Sequence, residues 1–268
     1  MIYSASRRTD LPAAHPDWLA ARLSRSRTLD AVVYWTKHPT ALVEHPGLVG
    51  ALERWPSVVQ LTVTGLAGTP WEPGTPPLSA WRDDLAELAR RLPAGAIQWR
   101  FDPIVTPAAD LAAARREVKE RFLRTLEGVA RALGDVDRVT VSFYQPYRHA
   151  AARIAAAGLA PRRWSVAERC DLLVELRRAW NAPRGRFGIC CHPGWRGLAG
   201  IIPAESAACV SAERFDRLYG TRLGPGVKDP GQRPACDCSR STDIGDYGRA
   251  CLHGCVYCYA ARDAKTSC

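Results

Sequence analysis

The stretch Cys251-Leu252-His253-Gly254-Cys255-Val256-Tyr257-Cys258 sets three thiols at C-x3-C-x2-C spacing, with an aromatic residue directly before the last. Thiolates are soft ligands, and three on one short turn are spaced to hold a metal ion or an iron–sulfur cluster. Gly254, just before the middle cysteine, suits a tight wrap of backbone around such a group. The chain has ten cysteines; none precedes Cys170, and five fall between Cys236 and Cys258, a clustering that marks ligands rather than packing residues. Cys236-Asp237-Cys238 forms a C-x-C pair upstream. Together with Cys209 and one of Cys190 or Cys191 it could bind a second cluster. Alternatively, Cys190, Cys191 and Cys209 are ordinary buried thiols. Zinc on the C-terminal thiolates is the alternative to iron and sulfide. Cys170 and Cys268 stand apart from both sets.

The elements that must position these ligands show in the hydrophobic pattern. Near-continuous apolar runs at 2–6, 31–36, 58–64, 96–101, 138–143 and 186–190 read as strands buried on both faces. Amphipathic stretches at 16–25, 40–54, 78–91, 110–133 and 165–180 read as helices between them. Ser165 with Glu168 makes a capping box, and Gly134 is a stop after the fourth helix. This alternation predicts an α/β fold with about six parallel strands, closed as a partial (β/α) barrel or left as an open sheet, of which the partial barrel is the expectation. After Ile202 the periodicity fades and Gly, Pro, Cys and Asp become frequent. The expected division is therefore a barrel-like domain at 1–203 and a loop-rich, cysteine-rich iron–sulfur region at 204–268 that caps the barrel mouth.

Ligands of such folds sit over the carboxyl ends of the strands, where this sequence carries an unusual set of polar side chains. Arg7, Arg8, Lys37 and Arg100 could bind carboxylate or phosphate groups. Asp10 and Asp102 could orient those cations or hold a ribose hydroxyl, and Tyr144 could donate a proton or a hydrogen atom. Thr64, at the end of the third strand, is a candidate cofactor contact. The structural alternative for Arg100 and Asp102 is that they tie the strand ends together.

Composition bounds the rest. The 268 residues are 47% hydrophobic and 24% charged, enough for a full core without disulfides. No run of apolar residues is long enough for a membrane span, and the N-terminus lacks the apolar region of a secretory signal, so a cytoplasmic location is expected. There thiols stay reduced, which excludes a disulfide framework. The net charge of +10 fits arginine-rich solvated helix faces, a phosphate-bearing substrate or nucleic acid.

The spacing of Cys251, Cys255 and Cys258, with Tyr257 before the third, resembles the cluster motif of the radical S-adenosylmethionine enzymes. The resemblance implies that these cysteines ligate three irons of a [4Fe–4S] cluster whose fourth iron chelates S-adenosylmethionine. It also implies that Tyr257 packs near the adenine and that a ferredoxin or flavodoxin donates the electron. The motif lies beyond the last strand, from where a C-terminal loop can fold back over the mouth, as in the thiamine pyrimidine synthase enzymes. Over almost its full length the chain also resembles the bacterial family called domain of unknown function 1848. That likeness rests on Ser4-Ala5-Ser6-Arg7-Arg8-Thr9-Asp10, Trp35-Thr36-Lys37-His38-Pro39, Trp99-Arg100-Phe101-Asp102-Pro103, Lys228-Asp229, Gln232-Arg233, Cys236-Asp237-Cys238, Asp243-Ile244-Gly245 and the run from Cys251 to Cys258-Tyr259-Ala260. The expectation is an iron–sulfur enzyme with one or two clusters, acting on an anionic or phosphate-bearing small molecule. The alternative is a nucleic-acid-binding or repair-associated protein with a structural cluster or zinc, which the charge and nine tryptophans fit.

Overall fold

In a computed structural model that describes residues 1–192, 195–198 and 200–261, all six apolar runs are strands. They are β1 (Ile2–Ala5), β2 (Ala31–Thr36), β3 (Ser57–Thr62), β4 (Ile97–Ile104), β5 (Arg138–Phe143) and β6 (Arg186–Ile189). Cys268 and the last residues of the expected C-terminal region lie outside the described residues. Two further strands, β7 (Ala204–Ser206) and β8 (Thr242–Asp243), come from the stretch read as loops. Every pairing is parallel, in the order β7-β6-β5-β4-β3-β2-β1-β8.

This order corrects two expectations: the sheet has eight strands rather than about six, and it is open rather than a barrel. A barrel closes only when its edge strands bond to each other. Here the edges are β7 and β8, three and two residues long, and each bonds a single neighbour. Strands so short carry no periodic signal, so the pattern could show neither them nor the edges they form.

Each amphipathic stretch holds helix, and four further helices among the described residues lie outside them. They are α1 (Leu11–Ala14), α2 (Pro16–Ser24), α3 (Thr40–Glu44), α4 (Pro46–Arg54), α5 (Arg82–Arg91), α6 (Leu111–Leu133), α7 (Arg148–Ala156), α8 (Val166–Ala179), α9 (Trp195–Leu198) and α10 (Ala212–Tyr219). The single helix expected over 40–54 is broken because Pro46 cannot continue the hydrogen-bond ladder and opens a new helix instead. Ser165 and Glu168 form their capping box, and Gly134 ends α6 at φ 77°. No helix among the described residues is long and apolar enough to cross a membrane.

Side chains alternate across a strand, and here the two faces differ in chemistry. One face is apolar: Tyr3, Val32, Tyr34, Val59 and Leu61 pack against α2, α4 and α5. Further along it, Trp99, Phe101, Val139, Val141 and Phe187 pack against α6 and α8. The other, inner face carries Gln60, Gln98, Arg100, Thr140 and Ser142, and is covered by the tail around Cys209 and Phe215 of α10. The register sets Thr62 beside Arg100, Arg100 beside Thr140 and Thr140 beside Gly188, so polar groups run as a row across the inner face.

Trp99 is fully buried between Phe101 and Phe122, with ring centroids at 6.0 and 5.0 Å, and its indole N–H donates to the Val63 carbonyl at 2.9 Å. Trp99→Ala is expected to lower unfolding stability by about 3–5 kcal/mol, measured by denaturant titration. A loss under about 1 kcal/mol would mean that this layer collapses to fill the space.

Candidate functional site

Past the end of β1, Asp10 turns inward at the carboxyl ends of the strands and is buried. Its Oδ1 accepts the Ala13 N–H at 3.1 Å and caps α1. Its Oδ2 accepts the Thr36 hydroxyl at 3.0 Å and the Lys37 N–H at 2.7 Å, and lies 2.7 Å from His253 Nε2. One carboxylate thus joins the ends of β1 and β2 to the cysteine loop. From the opposite side Asp243, on β8, accepts the Ser6 hydroxyl at 2.6 Å and the Arg7 N–H at 3.0 Å. Arg8 reaches the Gly245 carbonyl at 2.8 Å and lies over the Tyr247 ring.

The loop carrying Cys251, Cys255 and Cys258 docks on the connection after β3. The Gly74 N–H donates to the His253 carbonyl at 3.0 Å, and the Val256 N–H to the Trp71 carbonyl at 3.1 Å. Glu72, 1% exposed, accepts on one carboxylate oxygen from the Thr64 hydroxyl, the Tyr257 hydroxyl and Lys37 Nζ, the last at 2.9 Å. Burial opposes both charges of this pair. Lys37 and the hydroxyls nevertheless hold Glu72 below the usual carboxylate range, while Glu72 and Cys255 hold Lys37 above its ordinary value. Burial raises the Cys251 thiol and pushes Cys255 up to about 12, against the pull of Lys37. The three thiols feel one another's charge. Gly254 sits at φ 60°, a left-handed turn that aims Cys255 inward. Arg153 donates to the carbonyls of Cys258 and Ala261.

A second set of thiols gathers on the inner face. Cys209, Cys236 and Cys238 are buried in one cluster with Cys190 and Cys191 packed against it, and each thiol shifts the titration of its neighbours: Cys190 with Cys191 and Cys209, Cys209 with Cys238, Cys238 with Cys236, and Cys236 with Cys191. The five form a ring of mutually interacting thiols, and none of the described cysteines is in a disulfide. Arg100 Nη1 donates to Cys209 Sγ at 2.7 Å, while Nη2 pairs with Asp102, whose other oxygen accepts from Ser142. The Val210 N–H points at Cys238 Sγ from 3.5 Å. Contacts with Cys190 and Cys238, aided by Arg100, hold the Cys209 thiol well below its ordinary value; Cys191 and Cys238 hold Cys236 at about 3. Their neighbours Cys190 and Cys238 are pushed up. Among the described residues no group of three or more His, Cys, Asp or Glu side chains is placed to hold a metal ion.

The strand-end residues connect the two sets. Lys37 feels Cys255 and Asp102, and Asp102 pairs with Arg100 on Cys209, so a row of charges runs from the loop to the ring. Trp35 lies between the Arg7 and Arg100 guanidinium groups, at 5.2 and 4.9 Å. Tyr144 packs under the loop with Trp71, Val105, Cys255 and Tyr257, and burial raises its hydroxyl. A cavity of about 260 Å³ opens beside Lys37 and Glu72, with Thr64, Trp81, Arg121 and Arg124 in its walls. The structure therefore places Asp10, Lys37, Thr64, Tyr144 and Tyr257 around Cys251, Cys255 and Cys258. Arg100 and Asp102 stand with Cys190, Cys209, Cys236 and Cys238; Arg7 lies beside Cys238, and Arg8 sits at the rim. Sequence reasoning missed Glu72, which carries no spacing signal, and gave no role to Asp243 and His253, although both lie inside quoted motifs.

Two substitutions test how the loop is held. Glu72→Gln leaves Lys37 buried without its countercharge and is expected to lower stability by about 3–5 kcal/mol in denaturant melts. A Cβ on Gly74 would meet the Leu252 carbonyl oxygen at 2.2 Å. Gly74→Ala is thus expected to speed amide hydrogen exchange across 251–257 while leaving α6 and α8 unchanged; unchanged exchange in the loop would show that this contact does not seat it.

No curated protein and no solved structure matches the chain. One family does match, described as Domain of unknown function (DUF1848), over residues 24–260. That span takes in β2 through β8, both thiol sets and the carboxylates Glu72 and Asp243. The chain belongs to the DUF1848 family.

Proposed function

We propose that the protein is an iron–sulfur enzyme of the radical S-adenosylmethionine type, with its chemistry at the carboxyl ends of the strands. One observation carries the reading: a C-x3-C-x2-C loop is pinned over those ends by two buried carboxylates, with Asp10 on His253 and Glu72 on Tyr257. The donor set fits a cluster, because Cys251, Cys255 and Cys258 are soft ligands on one turn, mutually within electrostatic reach and partly or wholly shielded from water. Such a cluster, when bound, supplies the electron that cleaves a carbon–sulfur bond of S-adenosylmethionine, received from a ferredoxin- or flavodoxin-type donor.

The chain's own residues do the rest. Glu72 holds Lys37 beside Cys255, where the ammonium offsets thiolate charge. Tyr257 closes the loop over Glu72 and excludes water from that pair. The cavity beside Lys37 and Glu72, with Arg121 and Arg124 in its wall, gives an anionic or phosphate-bearing substrate a cationic place to sit. Tyr144, under the loop, is a source of a proton or hydrogen atom.

Anaerobically isolated protein with a low-potential reductant is expected to convert S-adenosylmethionine to 5′-deoxyadenosine. C255A should abolish this, and K37A should slow it at least tenfold with iron retained. Iron-loaded protein that leaves S-adenosylmethionine intact under every reductant would sink the reading.

A further inference from the structure

We propose that the five-thiol ring on the inner face holds a second iron–sulfur cluster, ligated by Cys209, Cys236, Cys238 and one thiol of the adjacent Cys190–Cys191 pair. The ring shares no residue with the C-terminal loop, so the proposal stands whether or not S-adenosylmethionine is the cofactor of that loop.

Convergence is the first argument. The thiols come from the end of β6, from the segment before α10 and from the C-x-C pair beyond it, stretches far apart in sequence that have no local reason to meet. Ordinary buried cysteines behave as small hydrophobes and pack singly against apolar neighbours. These instead gather five together, Cys209, Cys236 and Cys238 buried in one cluster with Ile2, Val33, Val58, Val210 and Phe215, and Cys190 and Cys191 packed against it.

The surroundings supply what several thiolates need. Arg100 is buried, donates to Cys209 Sγ at 2.7 Å and keeps Asp102 as its partner. Arg7 and Arg214 add positive charge near the ring, on Cys238 and Cys209 respectively. A guanidinium and the Val210 N–H aimed at ligand sulfurs are the kind of contact that sets the reduction potential of a protein-bound cluster. Cations buried against a sheet face would be costly without such anions. Three of the ring thiols, Cys209, Cys236 and Cys238, are buried from water. A centre there stores and passes electrons or braces the tail, and substrate binds elsewhere.

The test counts iron and acid-labile sulfide on anaerobically isolated protein. About eight irons are expected in the unaltered chain, about four in C251A/C255A/C258A, which leaves the ring untouched, and about four in C236S/C238S, which spares the loop. Iron absent from C251A/C255A/C258A would overturn the proposal. So would one zinc per chain that is lost in C236S/C238S. Should C236S/C238S fail to fold, the triple variant decides alone. Retained iron in the triple variant beside no S-adenosylmethionine cleavage in the unaltered protein would uphold the ring and end the reading of the loop.

Discussion

A carboxylate taken out of water must have its lone pairs answered inside the protein, and at Asp10 the answers come from three places. The first turn of α1, the end of β2 and the cysteine loop each contribute a partner. Glu72 repeats the arrangement with Lys37, Thr64 and Tyr257. Neither group tolerates partial satisfaction, because a buried charge that loses one partner keeps its desolvation penalty. Segments more than 180 residues apart are thereby held in one geometry. The position of the three loop thiols follows from this demand rather than from hydrophobic contact alone.

The inner face obeys the same logic on a larger scale. Parallel sheets are usually apolar on both sides. Here Gln60 donates to Gln98 at 2.7 Å and to the Cys209 carbonyl at 2.7 Å, and Arg214 reaches Gln98 at 2.7 Å. Gln60, Gln98, Arg100 and Ser142 each find a partner on a neighbouring strand or on the tail. A slip of the tail by one residue would strand several donors at once, so the network fixes register in a way that an oily interface would not.

Much of this was legible in the sequence. The six longer strands announced themselves as apolar runs, and α6 and α8 by their caps. A strand bearing Arg100 and Asp102 among Trp99 and Phe101 looked anomalous, and the anomaly marked the inner face. The short edges β7 and β8 were not legible, since two or three residues hold no periodicity and gain their order from β6 and β1. Helix α10, though capped by Ser211 and stopped by Gly220, is only eight residues long, too short to set a clear periodicity in a region that reads as loops. Glu72 was invisible for a different reason: an acid in a Gly- and Pro-rich connection is ordinary until the fold sets it against Lys37.

The pairing of β8 with β1 bears on how the molecule is made. Strand β1 leaves the ribosome well before the strand beside it, formed from residues 242 and 243, and Asp10 waits for His253. Until those residues emerge, one edge of β1 has no neighbour and a buried carboxylate lacks a partner. Domains generally fold as units, N-terminal parts first, but this sheet cannot be completed in that order. Both thiol sets draw on residues beyond 235, so neither can assemble before that stretch has been made.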